Sequence, residues 1–300
     1  MKLGGKKQVS HDFFGYLPCK WDIKFEGGSI SPIQEFEQVS TVIDKYSDEE
    51  GFIYPEDTQQ IRSDLTSSSP DMFTFAPPSP FFQYVYTSHV LCLRDAEVDI
   101  RKGSGAFLIY LLAYLFGVRL QFKGWWHDGR IPVKSTHNIR PTKKTAEKFL
   151  SHCYQLWKSW PATEQKLITN ILYMHSRTPS YEWEWEQFMI EYMVLDGCWR
   201  VASQLYKLKA KKHEDRLRVL CQKFGVPLNE KLIADIVMLR NHLFHETLWD
   251  KSQPCTAPNG PGFAASLHIR KLNQRLIPAI LGYDTPYVRT PWWIMGTFSF

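Results

Sequence analysis

The chain has 300 residues, enough for one large domain or two of medium size. Hydrophobic residues make up 44% and charged residues 22%, values that are ordinary for a soluble globular protein with a substantial core. The net charge of +5, from 36 basic and 31 acidic residues, permits a nucleic-acid partner without requiring one.

The six cysteines are scattered and form no Cys-x-x-Cys pair, which argues against a disulfide framework and a zinc site. We therefore expect free thiols in a reducing compartment, the cytoplasm. The first ten residues are polar and show no signal peptide. The most apolar run, residues 106–118, is shorter than the roughly 20 residues that a bilayer requires, so it predicts a buried helix and no membrane partner.

Residues 11 to about 100 alternate short apolar segments with turn residues, a pattern typical of strands and loops. The segment from Trp21 to Glu26, followed by Gly27-Gly28 and Ser29-Ile30, predicts a hairpin. In chain order, the remaining patterns predict a loop or loosely ordered insert over 44–80, a strand over 81–93, an apolar helix over 104–117 and a second hairpin-like segment over 120–133.

After Pro141 the pattern becomes almost wholly helical. Thr142 and Asn229 have the side chains that cap helix N-termini, and Gly225 can end a helix. Helices with short connections favour an antiparallel bundle. The fold class is therefore α+β, with a mixed α/β region over 1–140 and an all-α bundle over 141–300. The predicted helices span about 142–157, 161–176, 182–209, 213–224, 230–249 and 264–281.

The helix predicted from Asn229 to Trp249 carries an arginine on its apolar side. Advancing about 100° per residue places Arg240 in the middle of the core-facing stripe, where an arginine is costly unless it has a strong partner or a functional cleft. Asn241 flanks Arg240, and His245 borders the stripe about 140° from Arg240. The stripe consists of Ile233, Val237, Phe244 and Leu248, and the opposite face carries Asp235, His242 and Glu246.

The pattern Arg240-Asn241-x-x-x-His245 resembles the R-x(4–6)-H signature of HEPN-domain ribonucleases, in which a polar residue commonly follows the arginine. Its position on a late helix of an all-helical module is also similar, and the resemblance covers about residues 142–285. It implies a HEPN-like bundle with metal-independent endoribonuclease activity, usually as a homodimer. The most similar members act in bacterial abortive infection and antiphage defence, some of them as toxins.

The chemistry of these residues fits that implication. RNA carries its own nucleophile, the 2′-OH, so no metal or cofactor is expected. His245 can transfer protons near neutral pH, Arg240 can hold the scissile phosphate, and Asn241 can orient the phosphate or the imidazole. Because Arg240 and His245 point about 140° apart on one helix, we expect two copies to complete the site across a two-fold axis through the helical region.

Asp196 is the supporting acid that the sequence offers. It lies on the apolar side of the preceding long helix, where a carboxylate needs a cation, and HEPN proteins often carry an acid there. Two partners remain open, Arg240 across the bundle or Arg200 one turn along the same helix.

Basic residues in two stretches can guide RNA through its phosphates, although a solvated surface explains either stretch alone. The aromatic pair Trp125-Trp126 can stack bases or pack on the core. The predicted RNA-binding residues are Lys207, Lys209, Lys211, Lys212, Arg130 and Lys134.

Two readings of function follow. In the first, residues 1–140 sense a trigger or bind a regulatory partner, and residues 141–300 dimerise and cleave RNA. In the second, the bundle is a non-catalytic HEPN-like module that binds nucleic acid or protein, Arg240 pairs with a buried carboxylate, and His245 caps the helix C-terminus.

Overall fold

The computed structural model is a mixed α/β structure with small β-sheets and a predominantly helical C-terminal part. Much of the predicted 44–80 insert and the sixth cysteine, Cys255, lie outside the described residues. The described residues are 10–54, 82–83, 85–94, 99–254, 260–294 and 296–300.

In the described part of the chain, eleven short strands form one five-stranded sheet and three two-stranded ones. The larger sheet is antiparallel with the order β2-β3-β6-β1-β7. The strands are β1 (Ser10–Gly15), β2 (Ile23–Phe25), β3 (Gly28–Pro32), β4 (Phe52–Ile53), β5 (Phe82–Gln83), β6 (His89–Leu93), β7 (Gln121–Phe122), β8 (His127–Asp128), β9 (Ile131–Pro132), β10 (Ile139–Arg140) and β11 (Phe298–Ser299).

The hairpin predicted at residues 21–30 is confirmed as β2 and β3, which pair with Ile23 opposite Ile30. The second predicted hairpin, over 120–133, is wrong. Its three short strands pair with three different partners: β7 with β1, β8 with β5, and β9 with β4. Turn residues such as Gly129 indicate where the chain reverses, but distant segments supply the hydrogen-bonding partners.

The helices follow the predicted order with one addition, α1, which lies in a segment predicted as strands and loops. Its buried residues Phe36 and Ile43 are seven positions apart, which is about two turns, so both lie on the same face of the helix. The helices are α1 (Phe36–Tyr46), α2 (Ser104–Phe116), α3 (Lys143–Ser159), α4 (Ala162–Arg177), α5 (Glu184–Tyr206), α6 (His213–Phe224), α7 (Glu230–Asn241) and α8 (Gly262–Ile280).

Local capping explains several of these boundaries. The Thr142 hydroxyl accepts a hydrogen bond from the Thr145 amide at the start of α3. Helix α6 ends at Gly225, whose φ of 66° is the left-handed conformation that glycine adopts readily. These predicted caps are confirmed.

Helix α2 is the centre of the core, and all of its residues are buried. It packs against α3 and α4, while β2 packs against α3, so the hydrophobic core continues across the predicted boundary at residue 140. The division into a regulatory and a catalytic region stays a prediction. Within the described residues, no helix is both long and apolar enough to cross a bilayer.

Helix α5 packs against both α4 and α8, and α6 and α7 pack beside α8. The buried polar residue Glu191 of α5 joins these helices. Its carboxylate accepts a 2.8 Å hydrogen bond from Asn273 Nδ2 on α8 and lies 3.0 Å from His175 Nδ1 on α4. This arrangement fixes the face that α5 turns toward α6 and α7.

Candidate functional site

The site is built at the C-terminal end of α7. Asn229 caps the helix by accepting a hydrogen bond from the Leu232 amide. The buried residues Ile233, Ile236 and Val237 hold the helix on the core, and the chain then delivers Arg240 and Asn241 to the helix end. The predicted continuation of this helix to Trp249 is wrong.

A π-helical turn, His242–Glu246, replaces that continuation and ends at Thr247, whose φ is 57°. In π geometry the backbone bonds join residues five apart, so residues i and i+5 lie on the same side. Arg240 and His245 are five residues apart, and Arg240 Nη1 lies 2.8 Å from His245 Nε2. The predicted separation of about 140° is therefore wrong, because it assumed α-helical rotation. Homodimerisation stays a prediction, but the separation of Arg240 and His245 no longer gives a reason for it.

The π-turn also changes which side chains face solvent. Phe244 was predicted to continue the core stripe, but it is 45% exposed. His242 was predicted to face solvent, but its Nδ1 is buried and has no hydrogen-bond partner among the described residues. His245 is exposed rather than at the edge of the core. These exchanges follow from the extra residue that a π-turn inserts per turn.

The hydrogen bond from Arg240 sets the tautomer of His245. A guanidinium only donates, so His245 Nε2 accepts, and the ring N–H of this tautomer is on Nδ1. The same Nη1 donates to Asn241 Oδ1 at 3.0 Å. Arg240 therefore contacts both other residues of the predicted catalytic set within one chain.

Aromatic rings hold the guanidinium in place. The Arg240 guanidinium carbon is 5.3 Å from the ring centre of Phe244 and 5.9 Å from that of Tyr192 on α5. Both distances are within the range of cation–π attraction. The predicted alternative, pairing of Arg240 with a buried carboxylate, is not what anchors it in the described structure.

Tyr192 connects the arginine to a second histidine, which was not among the predicted catalytic residues. Its phenol oxygen lies 2.8 Å from Nδ1 of His213, the first residue of α6. Because 21 positions separate Tyr192 and His213, no local spacing in the sequence could indicate this contact.

The two groups have shifted pKa values. Burial lowers the pKa of His213, and nearby Arg240 lowers it further while Asp196 opposes the shift, so the neutral imidazole is favoured. Burial raises the pKa of the Tyr192 phenol, which therefore stays protonated at neutral pH. The phenol oxygen can accept the His213 Nδ1–H, leaving Nε2 with a free lone pair.

Asp196 pairs with neither predicted cation. Its carboxylate lies 3.6 Å from Arg216 Nη1 and 3.9 Å from His213 Nδ1, both on α6, and it is 44% exposed. The predictions of an Arg240 or an Arg200 partner are wrong, because the packing of α6 on α5 brings Arg216 and His213 closer. Asp196 thus supports the site through His213.

The predicted RNA-binding residues fall into two groups. The four lysines are exposed on the connection between α5 and α6, which leads directly to His213. The four are Lys207, Lys209, Lys211 and Lys212.

In the second group, Arg130 Nε and Nη2 donate to the carbonyl oxygens of Pro179 and Tyr181, and the guanidinium stacks 4.4 Å from the Phe52 ring centre. Most of the Arg130 guanidinium is therefore used in contacts within the fold, whereas Lys134 is exposed to solvent. Of the aromatic pair, Trp125 packs edge-on against Phe122 and Trp126 is 40% exposed.

Within the described part of the chain, no three or more His, Cys, Asp or Glu side chains are grouped so that they could hold a metal ion. Comparisons of the chain with protein-family models, with curated proteins and with solved structures gave no match.

Proposed function

We propose that this chain is an endoribonuclease that cleaves RNA by attack of the 2′-OH, without a metal ion. The observation that supports the proposal best is the direct contact of Arg240 with His245 on the π-turn, beside His213. Arg240 contacts one imidazole directly and lies over the ring of Tyr192, whose hydroxyl is bonded to a second imidazole. RNA cleavage needs charge stabilisation and two proton transfers, which an arginine and two histidines can supply.

The protons of the proposed reaction are exchanged with solvent at both histidines. The scissile phosphate binds the Arg240 guanidinium in place of His245, and the freed His245 Nε2 takes up a proton from solvent. His213 Nε2 takes the proton from the 2′-OH, whose oxygen attacks the phosphorus, and His245 donates its proton to the leaving 5′-oxygen as the P–O5′ bond breaks. His213 then releases its proton to solvent. The products are a 2′,3′-cyclic phosphate and a 5′-OH, and Asn241 orients the phosphate.

Affinity for RNA would come from phosphate contacts. The exposed lysines from Lys207 to Lys212 extend the positive surface from the site, and Lys134 and the remaining donor of Arg130 are further candidates. Binding through several phosphates predicts a steep decrease of affinity with salt.

The broader proposal follows the resemblance to HEPN proteins. The helical region would form a homodimer in the cytoplasm, and residues 1–140 would respond to a trigger, as in antiphage defence or toxin systems. The shared-cleft arrangement is not required by the geometry of Arg240 and His245, but a dimer can bring two such sites together.

The test is cleavage of a mixed RNA substrate in EDTA, with analysis of the ends produced. We expect wild type to produce 2′,3′-cyclic phosphate ends, and His245→Ala and His213→Asn each to lose about 10²- to 10⁴-fold in rate. The matched control is His11→Ala, which removes an exposed histidine on β1 and keeps the wild-type rate.

A second candidate function is a non-catalytic HEPN-like module that binds nucleic acid or protein. The favouring observation is that Arg240 has hydrogen bonds and two ring contacts within its own chain, as a structural residue would. This function predicts that wild type binds RNA or a partner yet leaves RNA intact, and that Arg240→Ala lowers the melting temperature strongly. Cleavage abolished by His245→Ala in a folded protein contradicts it.

A further inference from the structure

A cleft of about 470 Å³ lies between helices α2 and α4, strand β7 and residues 124–126. Its volume is within the range of roughly 300–1,000 Å³ that is typical of small-molecule sites. It shares no residue with the site at the end of α7. Aromatic rings and amides dominate its lining, the rings of Tyr110, Trp125, Trp126 and Tyr173 and the amides of Gln121 and Asn170.

The fold holds the aromatic walls of the cleft in place. The Trp125 amide donates to the Phe122 carbonyl oxygen at 3.1 Å, and the two rings pack edge-on at 5.7 Å. Tyr110 is buried, and its ring centre lies 5.1 Å from that of Tyr173. Trp126 is 40% exposed. The cleft therefore offers flat ligands a set of rings, one of which is open to solvent.

The lining of the cleft is uncharged in the described part of the chain. Two arginines touch its rings, but each is paired with an aspartate: Arg177, which bonds to the Tyr173 hydroxyl, and Arg101, which lies 5.9 Å from the Trp125 ring centre. Burial raises the pKa of the Tyr110 phenol, which stays neutral at pH 7. The cleft thus suits a neutral, flat group.

Gln121 supplies the polar group that points to a ligand. Its backbone is fixed in β7, which pairs with β1 opposite Gly15. The residue is 6% exposed, and its Oε1 is buried without a hydrogen-bond donor among the described residues. Buried amide oxygens are rarely left unpaired, because the lost hydrogen bond to water is not replaced. The terminal torsion of glutamine is soft, so this amide can turn to meet an N–H group in the cleft.

We propose that the cleft binds an adenine base, supplied as a free adenine nucleoside or as an adenosine of RNA. Adenine presents a donor, N6–H, beside an acceptor, N7, and this pair matches the oxygen and nitrogen of a glutamine amide. Its two fused rings can stack on the tryptophans at the mouth of the cleft. Guanine presents two acceptors on the same edge, which arginine and lysine recognise, and neither lines the cleft among the described residues.

The experiment is isothermal titration calorimetry on the full chain with adenosine, guanosine and uridine. We expect saturable binding of adenosine and at least about tenfold weaker binding of the other two, because only adenine satisfies both ends of the amide while presenting two stacked rings. Equal affinities for adenosine and uridine overturn the adenine assignment.

The source of the base is tested with short 2′-O-methyl oligoadenylate and oligouridylate, which cannot be cleaved by attack of a 2′-OH. Binding therefore reports on the cleft independently of the proposed RNA cleavage. Adenosine binding without a preference for oligoadenylate identifies the free nucleoside, and a preference for oligoadenylate over oligouridylate identifies RNA. The proposal is overturned if adenosine does not bind and the two oligonucleotides bind equally.

Variants then locate the site. Gln121→Leu should weaken the preferred adenine ligand at least about tenfold without lowering the melting temperature, since an apolar group replaces an unpaired buried amide. Trp126→Ala, at an exposed position, should also weaken it about tenfold through lost stacking. The matched control is Trp183→Ala, which removes a 49% exposed tryptophan beside α5 and should keep wild-type affinity. Wild-type affinity in either cleft variant overturns the assignment.

Discussion

Three buried histidines make the fold sensitive to mild acid. Their imidazoles are at most 8% exposed, and burial lowers their pKa values to about 4 for His89 and about 3 for His127 and His137. Neither ring nitrogen of His127 has a hydrogen-bond partner among the described residues. A proton on that ring would therefore be unpaired as well as buried.

The size of the effect follows from proton linkage. An unfolded histidine titrates near 6.5, so between pH 7 and pH 5 the unfolded state gains protons that the folded state cannot bind. Stability is therefore complete above about 6.5 and decreases as the pH falls toward the folded pKa. At pH 5 each histidine lowers the free energy of unfolding by about 2 kcal/mol relative to pH 7, and the three together lower it by about 6 kcal/mol. Most carboxylates titrate only below this pH.

The assay is urea unfolding followed by tryptophan fluorescence at pH 7 and pH 5. We expect wild type to lose about 6 kcal/mol of unfolding free energy and His127→Phe to lose about 4 kcal/mol. The exposed control His11→Phe should show a larger loss than His127→Phe. Equal losses in wild type and His127→Phe would refute the reasoning, whatever the stability of the variant at pH 7.

Three further substitutions test the packing of the fold by thermal or urea unfolding. Gly117→Ala should cost about 2 kcal/mol or more, because φ is 65° and the new Cβ would meet the His137 ring at 2.8 Å; an unchanged melting temperature would contradict this. Glu191→Gln should cost about 3 kcal/mol by removing the charge inside a buried polar network, whereas the exposed Glu182→Gln should change stability little. Thr142→Ala should cost about 1 kcal/mol through the lost cap of α3, and a loss below experimental error would show that the cap is dispensable.

Helix positions were predictable because their signals are local. Thr142 and Asn229 cap helices through amides three residues ahead, and Gly225 ends α6 with a left-handed residue. The buried helix α2 was predicted from its continuous apolar run. In each case the residues that decide the structure are neighbours in the chain.

Strand partners and α1 were not predictable in the same way. Segment 120–133 contains turn residues and apolar pairs, but β7, β8 and β9 find their partners in β1, β5 and β4. Pairing is decided by which distant edge is available, and no local pattern carries that information.

The candidate site was likewise predictable only where its signals are local. The residues Arg240, Asn241 and His245 were found by spacing, but their contact depends on the π-turn, which the apolar pattern did not reveal. The π-turn ends helix α7, and Trp249, a few residues later, is buried and packs on Phe188 of α5. We infer that this tertiary packing favours the π-turn over a continued α-helix.

The sequence by itself determined the helical segments other than α1 and the π-turn after α7, the apolar core of α2 and the arginine–histidine spacing at the end of α7. Only the tertiary structure decided that His213 and Tyr192 join that pair and that Asp196 pairs with Arg216 and His213 of α6. Caps and helical faces depend on neighbours within a few residues, whereas these clusters join side chains that are distant in the chain and meet only when the helices pack.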